Sequence, residues 1–263
     1  MKRESLPSIK ILGERSTGSN FLEQYLLNNF QIQTFKDGTS LTSKQRDFLR
    51  SAQPDPTRRN DLREAFRDAN HFRTWKKNGG WKHAAATQKF LDGFVRPTNC
   101  TVICLIRHPA SWLHSMHRNP FHALANVPTN FSAFIRAPWV CVGRDELANP
   151  FLNNPIELYR SKVSSYLWLA ENYPNTIILR YEEMVLGADE LHKQLSSKFT
   201  ALGDRPQLPT RSTRNFGKGH HSLEEYQANA RRAAYSNLSD EDRSFVIAQL
   251  DEHYLQEVYP ETN

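Results

Sequence analysis

Gly13 and Gly18 bracket a turn in the segment IKILGERSTGSNFL, where a short apolar run enters and a helical apolar pattern leaves. A strand, a turn and a helix N-terminus in that order present unpaired backbone N–H groups and the positive end of a helix dipole, so the expected occupant is a phosphate. The glycine spacing is that of the nucleotide-binding loop GxxxxGK[ST]. Ser19 and Asn20, however, stand where that pattern has the lysine that reaches the terminal phosphates and the hydroxyl that holds magnesium. An ordinary ATP- or GTP-cleaving site is therefore disfavoured, and a plain strand-to-helix turn is the other reading. Arg107 and Ser115 form a second candidate pair: the guanidinium leaves an apolar run, the hydroxyl lies in the second turn of the helix that follows, and the two can close on one phosphate. His114 and His117 share a helix face, but Pro120 separates them from His122 and no carboxylate or thiolate lies near in sequence, so no metal is expected.

These residues need elements to carry them. Phe21, Leu22, Tyr25, Leu26 and Phe30 recur at helical spacing after the first strand. Residues 36–80 are polar and charged, with short helical hints from Leu62 to Phe72, and read as a polar helical insertion or lid. Gly79 and Gly80 end it and lead into GWKHAAA, expected as a short strand. The run TVICLI, Thr101 to Ile106, is continuous, β-rich and apolar, as a parallel strand buried on both faces must be. Pro109 opens a helix that Pro120 ends, a long amphipathic helix runs from Pro155 to Tyr173, and TIILR at 176–180 is a further strand. A helical stretch from Ala188 to Leu202 and a last helix capped by Ser239 complete the pattern. Strand and helix alternate, which predicts an α/β fold with a central parallel β-sheet flanked by helices. In such sheets ligands bind beyond the carboxyl ends of the strands, so residues 13–20, 81–83 and Arg107 border one crevice.

The chain has 263 residues, of which 38% are hydrophobic and 24% charged, enough for one sizeable domain spanning 1–263. A formal charge of +6 suits an anionic ligand, yet no recognition helix, aromatic repeat or zinc module points to nucleic acid. Cys100, Cys104 and Cys141 are too sparse for a disulfide framework. No signal-like or membrane-spanning run is present, so the expectation is a cytoplasmic protein.

GERSTGSN, RHPASWLHS, ILRYEEM and SDEDRSFVIAQLDEHY, in that order, resemble four segments of the sulfotransferases that use 3′-phosphoadenosine 5′-phosphosulfate. They are similar to that family's 5′-phosphosulfate loop, 3′-phosphate site, strand-end YED[ML] segment and C-terminal helix. The resemblance implies a P-loop-containing nucleotide-hydrolase-like sulfotransferase fold, transfer of a sulfuryl group to the hydroxyl of a sugar, polyol or phenol, adenosine 3′,5′-bisphosphate (PAP) as product, and no metal. It implies that Ser16, Thr17, Gly18, Ser19 and Asn20 form the loop and that Arg15 is its cation, although the loop is one residue longer than the common [KR]SGTT form. It assigns Arg107 and Ser115 to the 3′-phosphate. The family's C-terminal RKG segment is not reproduced, and Lys218 in NFGKGHH is the substitute. The cytosolic members' KxH segment has its counterpart in WKH, one residue shorter, which brings Lys82 and His83 to the catalytic place. His83 is favoured as the base because an imidazole takes a proton at neutral pH without the shift a lysine needs, and on an extended strand the two side chains face opposite ways. The segment HRNPFH is placed on the acceptor side of the crevice. A transferring sulfuryl group carries less charge than a phosphoryl group, which suits a loop without the lysine and magnesium ligand. The alternatives are a nucleotide-dependent kinase on the same loop architecture and a non-catalytic module binding polyanions.

Overall fold

TVICLI buries alternate side chains on opposite faces of a sheet: Val102, Cys104 and Ile106 enter one core, Ile103 and Leu105 the other. In the computed structural model, which describes residues 6–52, 55–124, 126–209, 223–231, 235–251, 254, 258 and 259, this segment is strand β3 (Thr101–Ile106). It lies beside β1 (Ser8–Gly13), with Ile9 opposite Thr101 and Gly13 opposite Leu105. β2 (Gln33–Thr34) pairs outside β1 and β6 (Thr176–Arg180) outside β3, giving an all-parallel sheet of order β2–β1–β3–β6. Burial on both faces is why the strands read as unbroken apolar runs rather than alternating ones.

α1 (Ser19–Asn29) covers one face through Phe21, Leu22, Tyr25 and Leu26. Between β2 and β3 come α2 (Ser43–Ala52) and α3 (Pro56–Asn78), then a helical stretch made of α4 (Gln88–Phe90), a π-turn at Leu91–Val95 and α5 (Arg96–Thr98). α3 is fastened to the body by buried Glu64, Asn70, His71 and Trp75. Lys10, buried in β1, donates to the carbonyls of Asn78 at 2.9 Å and Gly80 at 2.6 Å, which ties the end of α3 to the sheet.

After β3 the chain forms α6 (Pro109–Arg118), α7 (Phe131–Arg136) and a small antiparallel pair, β4 (Trp139–Val140) with β5 (Phe151–Leu152). α8 (Pro155–Asn172), capped by the Asn154 side chain, crosses over to β6. α9 (Tyr181–Leu186), α10 (Ala188–Ser196), α11 (Leu223–Arg231) and α12 (Asp240–Leu250) follow, and Ser239 caps the last through its Oγ, as expected.

GWKHAAA differs from expectation. Gly79 and Gly80 take φ of +69° and +76°, and Ala84 N–H closes a turn on the Trp81 carbonyl at 3.1 Å. The Lys82 N–H donates to the Asp37 carboxylate at 2.8 Å rather than to a strand, so no ladder forms. The alternation argument for Lys82 and His83 therefore fails, because it needs an extended backbone.

The chain leaves β1 toward β2 on one side and returns to β3 on the other. The carboxyl ends of β1 and β3 thus flank the point where strand order reverses, and a crevice opens there.

Candidate active site

The loop after β1 lines that crevice through Arg15, Ser16, Gly18, Ser19 and Asn20. Ser16 takes φ of +63° and Gly18 φ of +91°, both left-handed. Behind the loop, Trp112 Nε1 donates to the Arg15 carbonyl at 2.7 Å, Arg107 Nη1 to the Ser16 carbonyl at 2.8 Å, and Thr17 Oγ1 to the Glu14 carbonyl at 2.7 Å. With those carbonyls engaged, α1 begins at Ser19 with Gly18 as its N-cap and no side chain capping it, which leaves its first N–H groups to an anion. Ser16 Oγ is buried and has no partner among the described residues. Gly18 also lets the loop approach Tyr181, where an added Cβ would meet the ring at 2.8 Å.

These groups surround an open cleft of about 280 Å³, whose walls include Ser16, Gly18, Ser19, Asn20, His83 and Arg107. Arg107 leaves the end of β3, as expected, and is almost wholly buried. Its Nε donates to Ser111 Oγ at 2.9 Å, and its guanidinium lies 4.5 Å over the Tyr181 ring. The hydroxyl bonded to it is Ser111, Ser115 is buried one turn further along α6, and neither serine is among the residues that line the cleft. Thr17 is likewise buried and acts as a staple within the loop. Lys218 lies outside the described residues.

Arg15 borders the cleft with its charge already spoken for. Nη1 pairs with Glu14 at 2.7 Å and Nη2 with Asp145 at 2.8 Å, all three side chains being buried. Lys162 of α8 bonds Asp145 Oδ1 at 2.8 Å and lies 3.8 Å from Glu14, so two cations and two carboxylates form a closed quartet under the loop. Asp145 is held far below the usual carboxylate range; burial opposes this, and Arg15 and Lys162 outweigh it. A buried ion set of this kind is strongly disrupted by losing one member, which makes Arg15 an anchor of the loop.

Lys82 and His83 diverge from the turn. Lys82 Nζ bonds the Asn20 side chain at the start of α1, and its backbone carbonyl accepts from Gly13 N–H at 2.9 Å. His83 enters the cleft. Its Nδ1 lies 2.5 Å from the Gly13 carbonyl, which can only accept, so Nδ1 carries the proton and Nε2 keeps its lone pair. Burial first, then the Lys82 charge, hold the His83 imidazole well below its ordinary pKa of 6.5.

Beyond His83 the wall is formed by Phe121 and His122, in the segment placed on the acceptor side. His122, at φ of +60°, bonds Glu64 Oε2 through Nδ1 at 2.8 Å. Trp81 meets both imidazoles edge-on, His83 at 4.9 Å and His122 at 5.2 Å between centroids. The guanidinium groups of Arg15 and Arg144 stand 4.8 Å and 4.4 Å from its ring. Glu64 and Asp145 were not singled out from sequence as members of the site, because nothing in their spacing shows that the fold joins them to Glu14 and Trp81. Tyr181 had a signal, since it is the first residue after the strand TIILR.

No protein-family model matches the chain, and no curated protein matches it. Among solved structures, a mouse sulfotransferase complexed with PAP is similar over 97% of this chain and 89% of that one, at 14% identity and a TM-score of 0.48. Retinol dehydratase in complex with androsterone and inactive cofactor PAP is similar over 90% and 66%, at 15% identity and a TM-score of 0.39.

Proposed function

We propose that the chain is a sulfotransferase that moves a sulfuryl group from 3′-phosphoadenosine 5′-phosphosulfate to a hydroxyl. The single observation that carries this reading is the convergence of two anion-binding groups on one cleft. The loop of residues 13–20 comes from the end of β1, Arg107 comes from the end of β3, and a 2.8 Å bond from Arg107 to the Ser16 carbonyl joins them. A nucleotide with phosphates at both ends of its ribose has that two-pronged demand. The unpartnered Ser16 Oγ and the uncapped start of α1 fit the 5′-phosphosulfate, and Arg107, with Ser111 beside it, fits the 3′-phosphate.

In this reading the loop N–H groups and Ser16 hold the departing 5′-phosphate oxygen, the electrostatic contribution that dominates such sites. The quartet under the loop leaves Arg15 little charge to offer. Lys82, at the head of α1 and bound to the uncharged Asn20, joins Arg107 as a cleft-side cation that forms no ion pair among the described residues. His83 presents Nε2 to the acceptor hydroxyl and takes its proton as the S–O bond forms. Phe121 and His122 form the acceptor wall, which suits an acceptor with an apolar or ring-shaped body. A kinase on the same loop lacks support in the residues that follow Gly18, where Ser19 and Asn20 replace lysine and the magnesium-binding hydroxyl.

The test compares PAP with adenosine 5′-phosphate in thermal unfolding with a chelator present. PAP at about a hundred times its dissociation constant adds roughly 2.7 kcal/mol. Arg107→Ala weakens PAP by roughly 1.5 to 3 kcal/mol, the size of a charge-assisted hydrogen bond, and barely alters binding of the monophosphate. A protein stabilised by ATP with magnesium and not by PAP is a kinase instead. Equal losses for both nucleotides in Arg107→Ala move the 3′-phosphate elsewhere.

A further inference from the structure

Cations outnumber carboxylates where α3 meets the acceptor wall. Arg144 is fully buried and bonds Glu64 and, at 2.5 Å, Asp68. His122 uses the other claim on Glu64 Oε2 at 2.8 Å. Arg67 is left with Glu64 Oε1 at a long 3.5 Å and with the His122 ring, 3.0 Å and 3.3 Å from its two nitrogens. Since Nδ1 donates to Glu64, only Nε2 can accept from Arg67. The neutral imidazole, itself part of the cleft wall, thus stands between a carboxylate already bonded to Arg144 and the Arg67 guanidinium.

That guanidinium is incompletely neutralised. Its side chain is 30% exposed, one turn of α3 from Arg63, whose Nη1 donates to the uncharged Asn60 at 3.5 Å. Arg63, Arg67 and Arg144 have Glu64 and Asp68 as the carboxylates in this group, so one positive charge remains. Burial is the main cause that lowers the Arg67 pKa; Glu64 opposes it, and Arg144 and Arg63 add smaller lowering contributions. Two contacts nonetheless hold the group in place. A cation held against a residue of the cleft wall and short of counter-ions is stabilised when a ligand brings the missing charge.

Resting on the sulfuryl-transfer reading, we propose that the acceptor carries an anionic group, a carboxylate, sulfate or phosphate, and that Arg67, positioned by Glu64 through His122, receives it. The guanidinium offers a planar pair of N–H donors to such a group. The hydroxyl to be sulfated then lies toward His83, past Phe121 and His122.

The experiment uses the full chain and sulfur-labelled donor, with a metabolite extract split by ion exchange into anionic, neutral and cationic fractions as acceptors. Labelled product is expected from the anionic fraction. For the acceptor isolated from it, compared with its neutral amide, Arg67→Gln is expected to lower the ratio of the two kcat/KM values at least tenfold. Arg67→Lys retains part of that ratio. General damage to the fold would lower both values together and leave the ratio unchanged. Product confined to the neutral or cationic fractions, or an unchanged ratio in Arg67→Gln, overturns the proposal while sulfuryl transfer stands. Absence of product from every fraction overturns the transfer reading itself and this proposal with it.

Discussion

His83 is neutral in the cleft because protonation there would place a charge among Lys82 and Arg15 in a buried setting. Its folded pKa is depressed, so the deprotonated, base-competent form persists as pH falls below 6.5. The acid limb of kcat/KM is therefore expected well under that value, and a pH–rate profile measures it. His83→Asn is expected to cut turnover by about a hundredfold to ten-thousandfold with PAP affinity retained, the range for a positioned base. Lys82→Ala is the companion variant. If it abolishes turnover while His83→Asn retains it, the histidine is structural. At this scale sequence reading reached Gly18, Ser19, Asn20, His83 and Arg107, all of which border the cleft. It took Arg15 for a ligand cation, because a motif names the residue beside a loop without naming the carboxylates that meet it. Asp145 is 130 positions away, and the contact between them exists only after folding.

At the scale of elements, long periodic segments were legible and short irregular ones were not. β1, β3, β6, α1, α6, α8 and α12 follow from apolar runs, helical periodicity and caps, which act within a few residues. GWKHAAA was misread as a strand: its turn depends on two left-handed glycines and on Asp37 claiming the Lys82 N–H, and only the glycines are visible locally. Gly18 shows what such a position is for. At φ of +91° against the Tyr181 ring, Gly18→Ala is strained in backbone and contact alike, and a loss of about 1 kcal/mol or more is expected from denaturant midpoints. Because Tyr181 also lies under the Arg107 guanidinium, PAP binding is expected to weaken in the same variant.

Across the whole molecule, two buried histidines and Glu64 make the fold sensitive to acid. His108 and His122 are lowered from 6.5 to about 4, burial being the largest cause for each. Between those values the unfolded chain binds protons that the folded protein excludes, so stability falls as pH drops from about 6.5 to about 4. Below that, Glu64, depressed from 4.5 to about 2 by His122 and Arg144 against its burial, extends the decline toward pH 2. His108 is the cleaner probe, since both ring nitrogens lack partners among the described residues and the ring meets Tyr235 at a tilt, 4.6 Å between centroids, and Tyr259 edge-on at 5.3 Å. His108→Phe keeps these ring contacts and is expected to flatten the slope of melting temperature between pH 6.5 and 4. An unchanged slope would assign the response to other groups. The charge balance that makes this possible was only partly visible in a net charge of +6, which gives the sum and not the pairing.

Trp81, buried with two guanidinium groups near its ring and two imidazoles at its edges, is also an optical gauge of the cleft. The emission of an indole depends on the electric field across it, and this ring stands near the guanidinium of Arg15 on the loop side and that of Arg144 on the acceptor side. On the sulfuryl-transfer reading donor and acceptor would act on this ring from different sides, and in a variant that keeps Trp81 alone of the five tryptophans their arrival is expected to be separable by the colour and intensity of its emission.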